Sequence, residues 1–353
     1  MIKAVFLDID GTLRDERHGI PASAVQAIGM CRESGIQVVI CTGRNLASIQ
    51  PDVKALTVDG IIAGGGCLIL EEGRVRKNLF FQYEEIKEMI HVLVRKEVPI
   101  ALESQQGIFM NKAASLWFRN DFERKLEGLE PWERQRRREE NGIRYEDNMA
   151  WYRPGHDAIH KVCIWSPMDE REEMEGMASR AGTIVQQGGL DGRWYLEVLP
   201  PGCTKGEAIR EWCRMKAVSP SDTISFGDGR NDIEMILSTG IGVAMADGDP
   251  ELRKRADAVC GTAAEDGIYR ELVRRGIISM EPYGAENIGG MKNSSSIENS
   301  SSIENSSSIG NNTSIGNNTR KNPGGKNNGG VRNLVEGRSS IPDLSQKLQG
   351  QQQ

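Results

Sequence analysis

An apolar run, Ala4-Val5-Phe6-Leu7, ends abruptly in Asp8-Ile9-Asp10-Gly11-Thr12-Leu13. No other feature constrains the fold of this chain as tightly. A buried strand excludes charge, because an unpaired carboxylate is costly to desolvate. Here two carboxylates sit two residues apart where the strand should stop, and the period-2 geometry of a strand points both to the same side. Like charges that close repel unless a cation or a shared proton intervenes. Asp10-Gly11 reads as a turn. Two acids at the carboxyl end of a buried strand are what an open α/β sheet uses for chemistry. The plainer alternative is a strand followed by an Asx turn.

The rest of the N-terminal region supports that sheet. An amphipathic helix is expected over Ala22–Ser34, with Val25, Ile28 and Met30-Cys31 near one face and Gly35 as its stop. A second strand, Gln37–Cys41, ends at Thr42-Gly43-Arg44, and a helix follows over Leu46–Leu56. Ile61-Ile62 and Cys67–Leu70 read as third and fourth strands. Strands alternating with helices imply βαβ units and a parallel sheet. After Pro200-Pro201 the same alternation returns: helix Lys205–Lys216, strand Thr223–Phe226, helix Asn231–Ser238, strand Gly242–Met245, helix Pro250–Arg255, strand Ala258-Val259 and helix Asp266–Arg275.

Between them the texture changes. A helix at Glu84–Lys96 and a charged stretch from Leu116 to Asn141 precede a strand, His160–Trp165, and a helix, Asp169–Ala181. Strands near Thr183–Gln186 and Trp194–Val198 and turns at Gly188-Gly189 and Asp191-Gly192 complete it. The expected organisation is a discontinuous core domain (1–82 and 200–283), an inserted α+β cap domain (83–199) and a tail (284–353). The tail repeats a six-residue unit, NSSSIE at Asn293–Glu298 and Asn299–Glu304, then NSSSIG and NNTSIG to Gly316. One apolar residue per repeat buries little, so disorder is expected.

Of 353 residues 38% are hydrophobic, and the shortfall concentrates in the tail. The net charge is −6, and the tail holds 7 basic and 5 acidic residues, so the body is the more acidic part. That argues against general nucleic-acid binding. Anionic substrates would need local positive charge or a metal. The odd number of cysteines (seven), without CxxC spacing, favours buried, reduced thiols in a cytoplasmic protein. No run reaches the ~18 apolar residues of a membrane span.

Four polar segments follow short strands or open helices: Asp8–Thr12, Thr42-Gly43-Arg44, Thr204-Lys205-Gly206 and Gly227-Asp228-Gly229-Arg230-Asn231-Asp232. A parallel sheet brings the first, second and fourth to one edge, and the third places a helix N-terminus where it favours an anion. The inventory suits phosphoryl transfer. Asp8 can attack phosphorus and form an aspartyl-phosphate. Asp10 can protonate the leaving oxygen and then activate water. Thr42 offers a hydroxyl and a helix N-terminus to phosphate oxygens, and Lys205 a neutralising charge. Asp8, Asp228 and Asp232 supply hard oxygens for Mg²⁺. Each segment alone is weak, since Gly, Asp and Asn are ordinary turn residues; their joint order on an α/β background carries the reading.

With these motifs the chain, over about Met1 to Gly276, resembles the haloacid dehalogenase (HAD) superfamily phosphatases, and within them the Cof-type subfamily with a type IIB α+β cap. Softer echoes are Leu196-Glu197-Val198, Gly242–Met245 and Glu265–Ile268. The resemblance implies a Rossmannoid parallel-sheet core and a Mg²⁺-dependent phosphomonoester hydrolase acting on sugar phosphates, nucleotides or cofactor phosphates. It implies that Asp8 is nucleophile and metal ligand, and that Asp10 is acid/base with its backbone carbonyl on the metal. Thr42, Gly43 and Lys205 would hold phosphate. Asp228 would bind metal directly, Asp232 directly or through water, and Asn231 would orient the phosphate. Arg44 either binds substrate or pairs with an acid. Alternatives are a phosphosugar mutase of the same superfamily or a non-catalytic phosphometabolite-binding regulatory protein. Two departures bear on substrate: Gly64-Gly65-Gly66 where Asn-Gly is usual, and Ala246-Asp247-Gly248-Asp249 where Gly-Asn-Ala is common.

Other features are expected to be structural. His156 and His160 have the spacing of ligands on a helix, but Pro154-Gly155 precedes them and His160 opens a strand. The basic run Arg134–Arg138 is flanked by acids and reads as a solvated helix face. Trp117-Phe118 and Trp132 are expected to pack inside the cap, the alternative being that one of them lines the cleft.

Overall fold

The computed structural model describes residues 1–15, 17–141, 144–190 and 192–280. In chain order, β1 (Ala4–Leu7), α1 (Ala22–Glu33), β2 (Gln37–Cys41), α2 (Pro51–Lys54) and β3 (Gly60–Ala63) lead to the hairpin β4 (Leu68–Glu71) and β5 (Arg74–Asn78). Next come α3 (Tyr83–Arg95), β6 (Ile100–Ser104), β7 (Ile108–Met110), α4 (Lys112–Leu126) and α5 (Pro131–Glu140). They are followed by β8 (Ile159–Pro167), α6 (Arg171–Ala181), β9 (Thr183–Leu190) and β10 (Arg193–Leu199). The chain then returns through α7 (Lys205–Lys216), β11 (Thr223–Gly227), α8 (Ile233–Leu237), β12 (Ile241–Met245), α9 (Pro250–Arg255), β13 (Ala258–Cys260) and α10 (Gly267–Arg274).

Two sheets result. The first has order β13-β12-β11-β1-β2-β3-β4-β5, and the second, from the inserted cap segment, order β7-β6-β8-β10-β9. In the first, strands from β13 to β3 are parallel, and all but the edge strand β13 are largely buried on both faces. Strand β1 shows why it lies at the centre. Val5 and Leu7 point to one face and join Ala24, Ala27 and Ile28 of α1 and Leu272 of α10. Ala4 and Phe6 point to the other and join Ala208, Ile209 and Trp212 of α7. The second sheet is antiparallel. Its outer face, with Leu102, Val162, Ile164, Leu196 and Val198, packs on α3 and α6.

Several local expectations need correction. Strand β4 runs antiparallel to β3, because three glycines are too short a link for a parallel crossover. Strand β5 escaped notice: Arg74-Val75-Arg76-Lys77-Asn78 is a charged edge strand without apolar alternation. The short strands β6 and β7 were also missed. The helix expected over Leu46–Leu56 breaks into a 3₁₀ turn, Leu46–Ser48, and α2. Pro51, lacking an N–H, can only open a new helix there. On α1, Ala24, Ala27, Ile28 and Cys31 face inward, while Val25 is exposed. Gly188 and Gly189 lie inside β9 rather than in a turn. Trp132 is exposed, unlike Trp117 and Phe118. Arg137 and Arg138 on α5 pair with Glu133 and Glu123. His156 pairs with Asp157 at the surface, whereas His160 is buried with Nε2 2.6 Å from Asn78 Oδ1, so the two histidines share no site.

All seven cysteines are buried and unbridged. No helix among the described residues is long and apolar enough to cross a membrane. The repeat tail lies outside the described residues.

Candidate active site

Strand β1 delivers Asp8 to the carboxyl edge of the first sheet, where its N–H still donates to Phe226 O (3.1 Å) in the ladder. The turn after it requires Gly11. Its φ is +77°, and a Cβ there would fall 2.4 Å from Asp228 Oδ2. The tightness of this turn therefore sets how closely the first and last acidic segments approach. Thr12 Oγ1 donates to Asp228 Oδ1 (3.2 Å), fixing that carboxylate from the other side.

Helix α7 begins at Lys205 and is capped by Thr204, whose Oγ1 accepts from the Glu207 N–H at 3.1 Å. Lys205 is buried, and its Nζ lies 2.6 Å from Asp8 Oδ1 and 2.5 Å from Asp232 Oδ1. Asp232 turns its other oxygen to the N–H groups of Asp228 (3.0 Å) and Gly229 (2.9 Å), which closes the loop after β11. Gly66 supports the approach of α7: with φ +108°, its missing side chain leaves room for the Thr204 carbonyl, 2.2 Å from where a Cβ would stand.

Asp8, Asp228 and Asp232 each offer an oxygen within 4.8 Å of the others. Burial pushes the Asp8 carboxyl well above the usual carboxylate range, with Lys205 opposing and Asp232 and Asp228 adding to it. Asp228 is pushed up to about 7 by burial and by Asp232. Lys205 stays protonated: burial opposes its charge, but Asp232 and Asp8 outweigh that. Three close carboxylates around a single ammonium leave negative charge uncompensated, and the donors are hard oxygens. This set fits a small divalent cation such as Mg²⁺. Asp10 is outside that cluster. Its carboxylate takes both Arg44 Nε (2.5 Å) and Arg44 Nη2 (2.8 Å), with Gln50 Nε2 at 3.1 Å. Burial would raise its pKa, but this fork holds it below the usual value.

Thr42 is buried at the end of β2, and its Oγ1 accepts from the Arg44 N–H at 3.1 Å. No helix opens there; the first helical turn starts at Leu46 and is capped by Asn45. Thr42 therefore contributes a hydroxyl but no helix terminus. Asn231 faces Gly43, with its Nδ2 3.3 Å from a hypothetical Gly43 Cβ. A cavity of about 380 Å³ brings together Asp8, Asp10, Thr42, Gly43, Arg44, Asp228 and Asn231.

The far wall of that cavity comes from the second sheet and was not foreseen. Lys161 Nζ donates to Gly43 O (3.2 Å) and lies 3.1 Å from Glu103 Oε1 and 3.2 Å from Glu197 Oε1. Tyr195 donates its hydroxyl to Glu197 Oε1. Burial opposes charge on Lys161, yet the two glutamates carry its pKa well above the ordinary value. The signal was present: Lys161 and Glu197 interrupt apolar strands as Asp8 does.

An open parallel sheet with buried acids and a lysine at its carboxyl edge, faced by an inserted antiparallel sheet, is the architecture of a phosphohydrolase with a cap. The chain belongs to the haloacid dehalogenase-like hydrolase family, whose sequence model matches residues 5–272, and is a phosphatase of its Cof-type, subclass IIB branch. It is 24% identical over 281 residues to the pyridoxal phosphate phosphatase YbhA of Escherichia coli, covering 75% of this chain and 96% of that one. It is 26% identical over 275 residues to a phosphoglycolate phosphatase of Methanoculleus marisnigri, covering 78% and 97%. Among solved structures, the HAD subclass IIB sugar phosphatase BT4131 superposes with a TM-score of 0.60 at 26% identity, over 78% of this chain and all of the other.

Proposed function

We propose that the protein hydrolyses small phosphorylated metabolites through a covalent intermediate on Asp8, in a Mg²⁺-dependent reaction. The observation that carries this reading is the buried Lys205 ammonium bridging Asp8 and Asp232 beside Asp228. Such charges are costly without a ligand that uses them. Asp8, Asp228 and Asp232 would hold the metal, with the Asp10 carbonyl as a further ligand; bound there, it offsets the charge of the phosphoryl group and of the acids.

In the first half-reaction an Asp8 oxygen bonds to phosphorus while the bond from phosphorus to the leaving oxygen breaks. That oxygen takes its proton from Asp10. In the second half, water gives a proton to Asp10 and attacks phosphorus, the bond from Asp8 to phosphorus breaks, and phosphate leaves. Lys205 neutralises the carboxylate as it approaches the anionic ester, and Thr42, Gly43 and Asn231 orient the phosphoryl oxygens. The Arg44 fork favours the ionised form of Asp10. Proton donation therefore needs Arg44 to turn partly to the substrate, which gives that residue a role in coupling binding to proton transfer. Residues 83–199 act as a cap over the core formed by 1–82 and 200–283, with Lys161 as the cap's contact at Gly43.

Hydrolysis of p-nitrophenyl phosphate with Mg²⁺, with excess chelator and in Asp8→Asn tests the mechanism. Turnover should fall at least about 10³-fold in the variant, as expected when a nucleophile is removed, and should vanish with chelator. Full activity in either condition overturns it.

A further inference from the structure

Lys161 on β8 is only 5% exposed, and an ammonium so deeply buried needs partners for its charge. An ammonium has three N–H donors. Lys161 Nζ lies 3.1 Å from Glu103 Oε1, 3.2 Å from Glu197 Oε1 and 3.2 Å from Gly43 O. The two glutamates belong to β6 and β10, the neighbours of β8 in its own sheet. The third partner is a backbone carbonyl of the first sheet. With three acceptors for three donors, no N–H remains for the leaving group of a substrate.

Gly43 lies in the loop after β2, where three successive carbonyls are each held. Thr42 O accepts from the Gly65 N–H (3.0 Å) and Arg44 O from the Gly64 N–H (2.7 Å), both from the turn that ends β3. Gly43 O, between them, accepts from Lys161 of the second sheet. That carbonyl belongs to the same peptide unit as the Arg44 N–H, which donates to Thr42 Oγ1 at 3.1 Å. A charged donor on the oxygen polarises the unit and strengthens the bond made by its N–H. Thr42 Oγ1 is thereby an acceptor on that side, and its own proton points away, free for a phosphoryl oxygen. A second contact joins the same loop to the same group: Asn45 Nδ2 donates to Glu103 Oε2 (3.2 Å), while Asn45 Oδ1 accepts from the Ser48 N–H (3.0 Å).

We infer that Lys161 is a positioning residue, which sets the Gly43–Arg44 peptide and through it the Thr42 hydroxyl, so that affinity for the phosphoryl group depends on the second sheet whatever the leaving group. Glu103 and Glu197 keep the ammonium charged and aimed. The inference rests on the phosphatase reading for the place of the phosphate.

The test uses the full chain with Mg²⁺. In Lys161→Met the inhibition constant of inorganic phosphate, which has no leaving group, should rise about tenfold to hundredfold, the size expected of a charge-assisted hydrogen bond. Values of kcat/KM for p-nitrophenyl phosphate, glycerol 3-phosphate and glucose 6-phosphate should fall by one common factor. An unchanged inhibition constant, or losses that differ among the esters, overturns the inference, because Lys161 would then act on the leaving group. A lower kcat with KM and the inhibition constant unchanged also overturns it, since that reports only a smaller folded fraction. Should Lys161→Met fold poorly, the other side of the contact carries the test. Asn45→Asp keeps an oxygen for the Ser48 N–H but sets a carboxylate against Glu103. It should weaken phosphate about tenfold, and adding Glu103→Gln, whose amide can donate to that carboxylate, should restore most of the loss. No weakening, or no restoration, overturns the inference. Calorimetry with inorganic phosphate separates it from the phosphatase reading. Phosphate binding that weakens in the variants while every ester is inert overturns only hydrolysis; an active wild type whose phosphate binding the variants leave unchanged overturns only the role of Lys161.

Discussion

Single residues here have roles that their neighbours dictate more than their type. Asp8, Asp10, Asp228 and Asp232 are four aspartates of one pocket, yet burial raises Asp8 and Asp228 while the Arg44 fork lowers Asp10. Metal ligation needs ionised carboxylates. With Asp228 held near 7, apparent Mg²⁺ affinity should fall about tenfold per pH unit below neutrality. Calorimetry in two buffers of different ionisation heat should show about one proton or more released per ion at pH 6. A flat affinity between pH 6 and 8 would contradict this. His160 is held neutral to a lower pH than an ordinary histidine. Burial lowers its pKa to about 4. The unfolded chain therefore binds a proton below about 6.5 that the folded chain refuses. Its stabilising contribution is complete above 6.5 and is lost as pH falls toward 4, by about 3 kcal/mol. Denaturant melts of wild type and His160→Gln at pH 7.5 and 4.5 isolate this part, since other groups cancel in the difference. The wild type should lose most of that amount relative to the variant.

At the scale of elements, the parallel sheet was legible because its strands are short apolar runs stopped by polar turns. Asp8, Thr42, Lys205, Asp228 and Asn231 could be placed from those stops; the structure brings Asp8, Thr42, Asp228 and Asn231 to one cavity, with Lys205 hydrogen-bonded to Asp8 beside it. What escaped reading has a common physical cause. Strand β5 is an exposed edge, so nothing forces apolar alternation on it. Lys161, Glu103 and Glu197 meet only through cross-strand register, which depends on partners far along the chain. The helix terminus expected at Thr42 failed because the turn to Leu46 depends on hydrogen bonds that spacing does not reveal: the Arg44 N–H donates to Thr42 Oγ1, and Asn45 Oδ1 accepts from the Ser48 N–H. Packing between α7 and the sheet is close enough to test directly. A Cβ on Gly60 of β3 would fall 2.2 Å from the Trp212 ring, itself fully buried and held by Gln37 Oε1 at 3.0 Å. Gly60→Ala should therefore destabilise by about 2 kcal/mol, the usual cost of overpacking, read as a lower denaturation midpoint. An unchanged midpoint would mean that α7 can shift without loss.

For the whole molecule, the match to the family ends at residue 272, and Ile278 closes the buried apolar set just beyond α10. Removing residues 284–353 should leave the thermal midpoint within about 2 °C, a shift worth less than ~1 kcal/mol, and leave turnover on p-nitrophenyl phosphate intact. A loss of activity would give the repeats a part in the site. The order of strands in the first sheet also reaches beyond the finished fold. Strand β1, with its Asp8, lies between β2 and β11, and Lys205 is 197 residues downstream of Asp8. On a ribosome adding about 5–20 residues per second, roughly 10–40 s separate the synthesis of the nucleophile from that of its counter-charge. Throughout that interval β1 has one flank open and an acid with no lysine, while every strand of the second sheet is made before the first sheet can be completed. The chain therefore resembles a clasp whose two halves bracket a long insert. Any stall or cleavage within the insert leaves an apolar strand exposed, so the burden on chaperones should be heaviest midway through translation.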